Sequence, residues 1–265
     1  MCGIAGIFSS DGFSGEQLTE LGVAMGRRLH HRGPDDAGVW CDAAFGIALS
    51  HRRLSILDLS SAGHQPMPSA SGRFMLAFNG EIYNHLALRA ELEAAGRAPV
   101  WRGHSDTETL LAGFAAWGVA ATLQRAVGMF ALSLWDRAER RLTLARDRLG
   151  EKPLFYGWVR GAFVFGSELK ALRAYPGFDN PVSRDALTLY LQHCAVPAPY
   201  SIYQDIFKLE PGCMLTLDAV GRASKTVQSE PYWRFADAVR HGLATPIQSE
   251  TEAVAALEST LREGV

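Results

Sequence analysis

The sequence has few of the features that mark secreted, membrane or nucleic-acid-binding proteins. Its 265 residues include four cysteines, at positions 2, 41, 194 and 213, with no C-x-x-C pair and no spacing typical of a metal site. It has no charged-then-apolar leader and no apolar run near the roughly 18 residues of a membrane span. The net charge of -2 predicts no nucleic-acid or membrane partner. We therefore expect a cytoplasmic protein with reduced thiols.

Common nucleotide-binding motifs are also missing. Neither G-x-x-x-x-G-K-[ST] nor G-x-G-x-x-G occurs in the chain. The sequence contains instead 48% hydrophobic and 20% charged residues, which is typical of a globular protein. Its length is sufficient for one large domain, or for one domain and an extension.

Strands and helices are predicted in blocks. Strands are expected at 3–9, 45–50 and 73–78, and strand pairs at 129–135 with 141–146 and at 154–158 with 162–167. Helices are expected from Leu18 to Leu29, over 84–95, and from Ser105 to about Trp117, where Ser105 and Glu108 form a capping-box pattern. Because hairpins are frequent and strict alternation is absent, we predict antiparallel sheets with helices outside.

The chain changes character after about residue 175. Proline and glycine interrupt short elements there, which indicates a segment that wraps the surface. A last helix is expected over 248–263, with Leu257 and Leu261 on its apolar side. Since that side has no obvious partner, we interpret the end of the sequence as a truncation point.

Cys2 directly follows the initiator methionine. Removal of Met1 would give one residue both a thiol, with an ordinary pKa of about 8.5, and an α-amine, with a pKa of about 7.7–8.0. The amine could then act as the base for its own thiol, directly or through a water molecule. The alternative is a small buried cysteine at the start of a strand. Position alone leaves both interpretations open.

Several short motifs support the catalytic interpretation. They are Met1-Cys2-Gly3-Ile4, His31-Arg32-Gly33-Pro34-Asp35, His51-Arg52-Arg53-Leu54-Ser55-Ile56, Asn79-Gly80-Glu81-Ile82-Tyr83-Asn84, Ser105-Asp106-Thr107-Glu108, the runs 146–154 and 165–172, and Lys208-Leu209-Glu210-Pro211-Gly212. In order and in separation, these motifs closely resemble the glutaminase domain of class II glutamine amidotransferases, of the asparagine synthetase B type. The resemblance covers essentially the whole chain.

The resemblance implies a fold and a domain organisation. The fold would be the four-layer α/β/β/α sandwich of N-terminal-nucleophile hydrolases, an α+β fold in which two antiparallel sheets are flanked by helices. Residues 2–215 would form the glutaminase domain. Residues 216–265 would be a connecting segment and the first helix of a truncated ATP-dependent synthetase domain.

The resemblance also implies the reaction. Cys2 would attack the side-chain amide of glutamine, release ammonia and leave a γ-glutamyl thioester for hydrolysis. The tetrahedral oxyanion requires preorganised donors, and these would be the Asn79 side chain and the Gly80 backbone N–H. A hairpin turn is the structural alternative for Asn-Gly, and it is compatible with an oxyanion hole.

Binding of the substrate requires charged groups in the same pocket. The resemblance places Arg53 on the α-carboxylate, since its planar fork suits a carboxylate, with the backbone at Leu54, Ile56 and Leu57 around it. Asp106 and Glu81 are candidates for the α-ammonium, and the family pattern favours Asp106. A structural alternative for Asp106 is stabilisation of a helix N-terminus.

Other residues near these motifs receive different predictions. Strand alternation would turn Arg52 to the opposite face and into solvent. The loop from His31 to Asp36 would flank the glutamine site. A thiol–imidazole pair with His30, His31, His51 or His64 is an alternative to the amine base. The other three cysteines are interpreted as packing residues.

The resemblance finally implies partners and cofactors. The family's Ser-Gly-Gly-x-Asp-Ser loop for ATP is absent from this sequence. ATP and Mg²⁺ would therefore act only in the missing synthetase domain, and the fragment itself would need no cofactor. Partners would be glutamine, the synthetase domain in cis, and a second copy of the chain if a homodimer forms. Ammonia would amidate aspartate or another carboxylate; a non-catalytic module is the remaining alternative.

Overall fold

The computed structural model describes residues 1–263, which divide into two compact units, one from Met1 to Tyr232 and one that begins at Trp233. The first unit contains two six-stranded sheets in which the strand pairs are antiparallel. Its strands are β1 Gly3–Phe8, β2 Asp36–Asp42, β3 Ile47–Arg53, β4 Met67–Pro68, β5 Phe74–Ile82, β6 Gly128–Asp136, β7 Arg141–Arg146, β8 Phe155–Val159, β9 Ala162–Gly166, β10 Ile206–Lys208, β11 Cys213–Leu217 and β12 Gln228–Pro231.

The strand order places the chain's start in the middle of a sheet. One sheet has the order β10-β8-β9-β1-β3-β2, and the other has the order β12-β11-β7-β6-β5-β4. In the first sheet, β1 therefore lies between β3 and β9, and all six of its residues are buried. Gly6 is required there, because a Cβ atom would lie 2.5 Å from the carbonyl oxygen of Ala48.

Helices cover the outer faces of the sheets. Helix α1 packs against β1, β2 and β3, and α5 packs against β9, while α3 packs against β4 and β5 of the other sheet. The helices of the first unit are α1 Gly15–Arg27, α2 His85–Ala94, α3 Asp106–Trp117, α4 Val119–Arg125, α5 Leu169–Leu172, α6 Arg184–His193 and α7 Ala219–Ser224. The predicted α/β/β/α sandwich is thus confirmed.

Two apolar clusters hold these layers together. The first cluster lies between the sheets and includes Phe8 and Leu49 from one sheet and Trp135 and Leu144 from the other. The second lies beneath α1 and α5 and includes Leu18 and Met25. Burial of such large side chains supplies most of the free energy that stabilises a domain of this size.

Some local features differ from the sequence prediction. The strand expected at 73–78 continues to Ile82, so Asn79 and Gly80 lie within β5 and form neither a strand end nor a hairpin turn. They pair with Ala131 and Phe130 of β6, whose apolar run supplies the partner. Strand β2 was not predicted, because its half-buried residues lack a strong alternation.

The capping box at α3 is only half formed. The Ser105 hydroxyl accepts a hydrogen bond from the backbone N–H of Glu108, as predicted. The Glu108 carboxylate, however, accepts from the backbone N–H groups of Arg102 and Gly103 instead of that of Ser105. The loop before α3 therefore folds back over the helix start.

The second unit consists of two helices, α8 Phe235–Ala244 and α9 Glu250–Glu263. The helix predicted over 248–263 is thus present, and its side chains Leu257 and Leu261 are exposed. The domain boundary expected after residue 215 stays a prediction; the structural division lies between Tyr232 and Trp233. No helix within residues 1–263 has both the length and the apolarity to cross a membrane.

Candidate active site

The thiol of Cys2 lies against the loop that follows β3. The backbone N–H of Leu54 donates to the Cys2 sulfur over 3.3 Å. Burial raises the pKa of the thiol above its ordinary value, and this effect outweighs the opposing effects of the Leu54 N–H and the Arg53 guanidinium. The free thiol is therefore neutral near pH 7, and a base is needed to make it nucleophilic.

The backbone of Cys2 is fixed by two distant segments. The Arg32 side chain donates through Nε to the Cys2 carbonyl oxygen over 2.8 Å. Ile4 bonds to Ser167 in both directions, since its N–H donates to the hydroxyl and its carbonyl accepts the Ser167 N–H. Arg32 is in turn held by Glu168 at 3.0 Å. Through Arg32, the loop of His31 to Asp36 contacts the backbone of Cys2, while its predicted place beside bound glutamine stays a prediction.

Cys2 borders a cavity of about 220 Å³ between the two sheets. This volume suits a small amino acid better than a drug-sized ligand. The cavity brings together every residue that the sequence assigned to the site, namely Cys2, Arg53, Leu54, Ile56, Leu57, Asn79, Gly80, Glu81 and Asp106. They come from the residue just before β1, from the end of β3 and its following loop, from β5 and from the start of α3.

Asn79 presents an unpaired amide at this cavity. Asn79 is 1% exposed, and its Nδ2 atom is buried without a hydrogen-bond partner among residues 1–263. A buried amide that lacks a partner costs about 1–3 kcal/mol of stability. Such a donor is suited to a negative charge that forms only during a reaction.

Gly80 follows Asn79 in β5 and lies opposite Phe130 of β6. A Cβ atom on Gly80 would lie 2.2 Å from the carbonyl oxygen of Met129. Glycine is therefore required by close packing, and its φ angle is not among the positive ones. The backbone at Gly80 thus reaches the cavity without an intervening side chain.

Arg53 shapes one wall of the cavity. The side chain is 8% exposed and donates to the carbonyl oxygens of Ser60 and Asp58. Two of its five N–H donors thus hold the loop, and the others remain for a ligand. Arg52 differs from its prediction: it does point to the other face, but it is half-buried and donates to Gly26 rather than lying in solvent.

Asp106 is the buried carboxylate of the cavity. It is 5% exposed and accepts a hydrogen bond from the backbone N–H of Ile82 over 2.9 Å. Burial raises its pKa and outweighs that hydrogen bond. Glu81 is half-buried on the same wall. A cationic group beside Asp106 would offset the cost of its buried charge.

The histidines lie elsewhere in the part of the chain that the structure describes. None of them lines the cavity. His31 bonds to Glu168 and His64 to Asp36. His51 is buried and bonded to the Phe78 carbonyl, and burial lowers its pKa to about 4. The geometry therefore offers no imidazole base for Cys2.

The other cysteines only partly fit their prediction as packing residues. Cys213 is buried in the core between the sheets. Cys41 is half-buried beside the second cluster. Cys194 is exposed at the end of α6 in a left-handed conformation, so for this residue the prediction is wrong.

Gln65, Asp58 and Lys152 are among the cavity residues that were assigned no role from the sequence. Gln65 accepts from the Phe78 N–H over 2.7 Å and donates to Thr107. Asp58 accepts from the His104 N–H and so ties the loop after β3 to α3. Lys152 lies within one of the recognised motifs but was assigned no role. The contacts of Gln65 and Asp58 join residues far apart in the chain, and no local pattern reveals them. No group of three or more histidine, cysteine or acidic residues is arranged for a metal ion in residues 1–263.

Comparisons with known proteins define the class to which this site belongs. The model of the glutamine amidotransferase domain matches residues 1–233. The chain therefore belongs to the glutamine amidotransferase domain family. A solved structure of glutamine phosphoribosylpyrophosphate amidotransferase from Bacillus subtilis has the same fold, with a TM-score of 0.64 at 20% identity over 88% of this chain and 49% of that one.

Curated relatives place the chain among domains similar to those of asparagine synthetases. A putative glutamine-hydrolysing asparagine synthetase of Mycobacterium tuberculosis is 39% identical over 233 residues, 83% of this chain and 35% of that protein. Asparagine synthetase 1 of Bacillus subtilis is 36% identical over 218 residues, 82% and 33% of the two chains. An amidase of Gibberella zeae is 28% identical over 276 residues and 39% of its length. The chain thus spans about a third of the length of these relatives.

Proposed function

We propose that this chain hydrolyses the side-chain amide of glutamine to glutamate and ammonia, with Cys2 as the nucleophile. The observation that carries this proposal is the shared cavity of a thiol, an unpaired buried amide donor at Asn79, the cation Arg53 and the carboxylate Asp106. These groups match, one for one, the reacting and charged parts of free glutamine. The family membership supports the same reaction.

The proposed reaction has two chemical steps. The α-amine of Cys2, free after removal of Met1, takes the thiol proton, and the sulfur forms a bond to the amide carbon. The C–N bond then breaks, and ammonia leaves with that proton, so that a γ-glutamyl thioester remains. Water attacks the thioester carbon, the C–S bond breaks, and the thiol recovers a proton. In both steps Asn79 and the Gly80 N–H would stabilise the oxyanion.

The direct test is glutamate release from glutamine. The purified chain should release glutamate, and Cys2→Ala should abolish release while it leaves the unfolding transition unchanged. Cys41→Ala is the matched control, because Cys41 is also a half-buried thiol but lies away from the cavity. Retained activity in Cys2→Ala, or its loss in Cys41→Ala, would contradict the assignment.

We further propose that the released ammonia amidates aspartate in an ATP-dependent domain of a longer protein, in the cytoplasm. The similarity to asparagine synthetases at 36–39% identity supports this acceptor. The test is asparagine formation by the full-length protein supplied with glutamine, aspartate, ATP and Mg²⁺. Glutamate release without asparagine formation would leave the glutaminase and overturn this acceptor.

A second candidate keeps the glutaminase and changes the acceptor to another carboxylate, as in a specialised-metabolite or cell-surface amidotransferase. The similarity to the Gibberella zeae amidase supports this second candidate. Screening carboxylic acids for ammonia incorporation by the full-length protein separates the two. A non-catalytic module is the third candidate, and complete lack of glutamate release would favour it.

A further inference from the structure

Lys152 is a buried lysine at the cavity. The residue is 6% exposed, and it lines the cavity together with Cys2, Asn79 and Gly80. Its backbone is tightly held, because its N–H donates to Asp147 over 3.0 Å and its carbonyl accepts from Arg146 over 2.7 Å. A lysine is almost never so buried unless its charge is paired.

In the part of the chain that the structure describes, the ammonium group of Lys152 has no such pair. Among residues 1–263, no hydrogen bond or ion pair involves its Nζ atom, and neither Glu81 nor Asp106 of the same cavity is within ion-pair distance. A cation that lines a cavity without a counter-charge from the protein attracts an anion brought into that cavity. Lys152 thus favours a negative charge there.

The backbone contacts show at which end of the cavity Lys152 lies. The Asp147 carboxylate oxygen that holds the Lys152 N–H also accepts from the Phe130 N–H over 3.2 Å. Phe130 is the register partner of Gly80 on β5. Asp106 is attached two residues further along β5, at Ile82. Lys152 thus belongs to the end of the cavity that contains Asn79 and Gly80.

We propose that Lys152 makes this end of the cavity electropositive and thereby favours anionic forms of the glutamyl side chain over the neutral amide of glutamine. These forms are the tetrahedral oxyanion and the γ-carboxylate of the product glutamate. The proposal rests on the proposed function, since it assumes that the glutamyl side chain points toward Asn79. Lys152 is then the residue that sets how strongly the product competes with the substrate.

Binding in a catalytically inactive background tests this proposal. Cys2→Ala allows the dissociation constants of both glutamine and glutamate to be measured by calorimetry without turnover. Adding Lys152→Met, which keeps the length of the side chain and removes its charge, should weaken glutamate binding by about tenfold or more and change glutamine binding by less than about threefold. Lys152→Arg, which keeps the charge, should retain the preference for glutamate.

The same measurement separates the possible failures. Lys225→Met in the same background is the control, because Lys225 is an exposed lysine outside the cavity, and it should change neither constant. An equal loss of glutamine and glutamate binding in Lys152→Met, or no change in either, would overturn the role of Lys152 alone. Absence of any binding to Cys2→Ala would overturn the proposed function and this inference with it.

Discussion

Substitution of Asn79 by alanine should separate catalysis from stability. The Asn79 amide is buried and its Nδ2 atom has no partner in the described protein, so the substitution removes no hydrogen bond from that atom. Relief of an unsatisfied buried donor is worth about 1–3 kcal/mol, which is partly offset by lost packing. We expect the free energy of unfolding to be unchanged or to rise by up to about 2 kcal/mol.

Catalysis should respond in the opposite direction. Loss of one oxyanion donor typically lowers kcat by about 10²–10³-fold, equivalent to about 3–4 kcal/mol in the transition state. The change in KM should be modest, because the donor acts mainly after the ground state. Unchanged or higher stability together with a lower kcat would show that the Asn79 amide serves catalysis and does not stabilise the fold.

The assay pairs urea unfolding with steady-state glutaminase kinetics. Ser133→Ala is a matched control, because the Ser133 hydroxyl on neighbouring β6 is also buried and unpaired but lies outside the cavity. It should gain stability in the same way and keep full activity. Two results would contradict this role of Asn79. One is a free energy of unfolding that Asn79→Ala lowers by more than about 2 kcal/mol, and the other is a kcat that falls less than tenfold.

Three further perturbations have signed outcomes. Asp106→Ala and Arg53→Ala should each mainly raise the KM for glutamine, because each removes roughly 2–5 kcal/mol of binding free energy. A fall in kcat alone would contradict a substrate-binding role for the residue concerned. Burial lowers the pKa of His51 from about 6.5 to about 4, so the unfolded chain binds this proton more readily than the folded chain. In urea titrations, the free energy of unfolding should therefore fall by about 3 kcal/mol as the pH drops from about 6.5 to 4. His51→Gln should remove this part of the pH dependence. Intact-mass analysis of active protein should show Met1 removed, and quantitative retention of Met1 would exclude the self-base mechanism.

Local patterns predicted those elements whose signals are contained in their own residues. The hairpin of β6 and β7 and the helices α2 and α3 follow from apolar periodicity, and α3 begins at its Ser105 cap as expected. Strand β2 was missed because its residues are half-buried, and only pairing with β3 defines it. The extension of β5 through two polar residues likewise depends on β6 across the sheet.

Part of the candidate site was likewise predicted from local motifs. Cys2, Asn79 and Asp106 lie in recognisable motifs, and the structure brings them to one cavity, while their roles remain predictions. Gln65 gave no signal, since its position depends on a contact with Phe78 that no local pattern marks. Lys152 lies in the motif 146–154, but the motif alone does not show that this residue lines the cavity. A motif thus identifies groups that react, whereas the folded chain identifies those that orient and charge the cavity.

Covalent labelling tests the central claim most directly. The glutamine analogue 6-diazo-5-oxo-norleucine should enter the cavity and alkylate Cys2 alone, as located by peptide mass analysis, and excess glutamine should protect against it. The other three thiols serve as internal controls within the same molecule. We predict one added group per chain, on Cys2, with simultaneous loss of glutaminase activity. Labelling of Cys41, Cys194 or Cys213, or full activity after complete labelling of Cys2, would contradict the account.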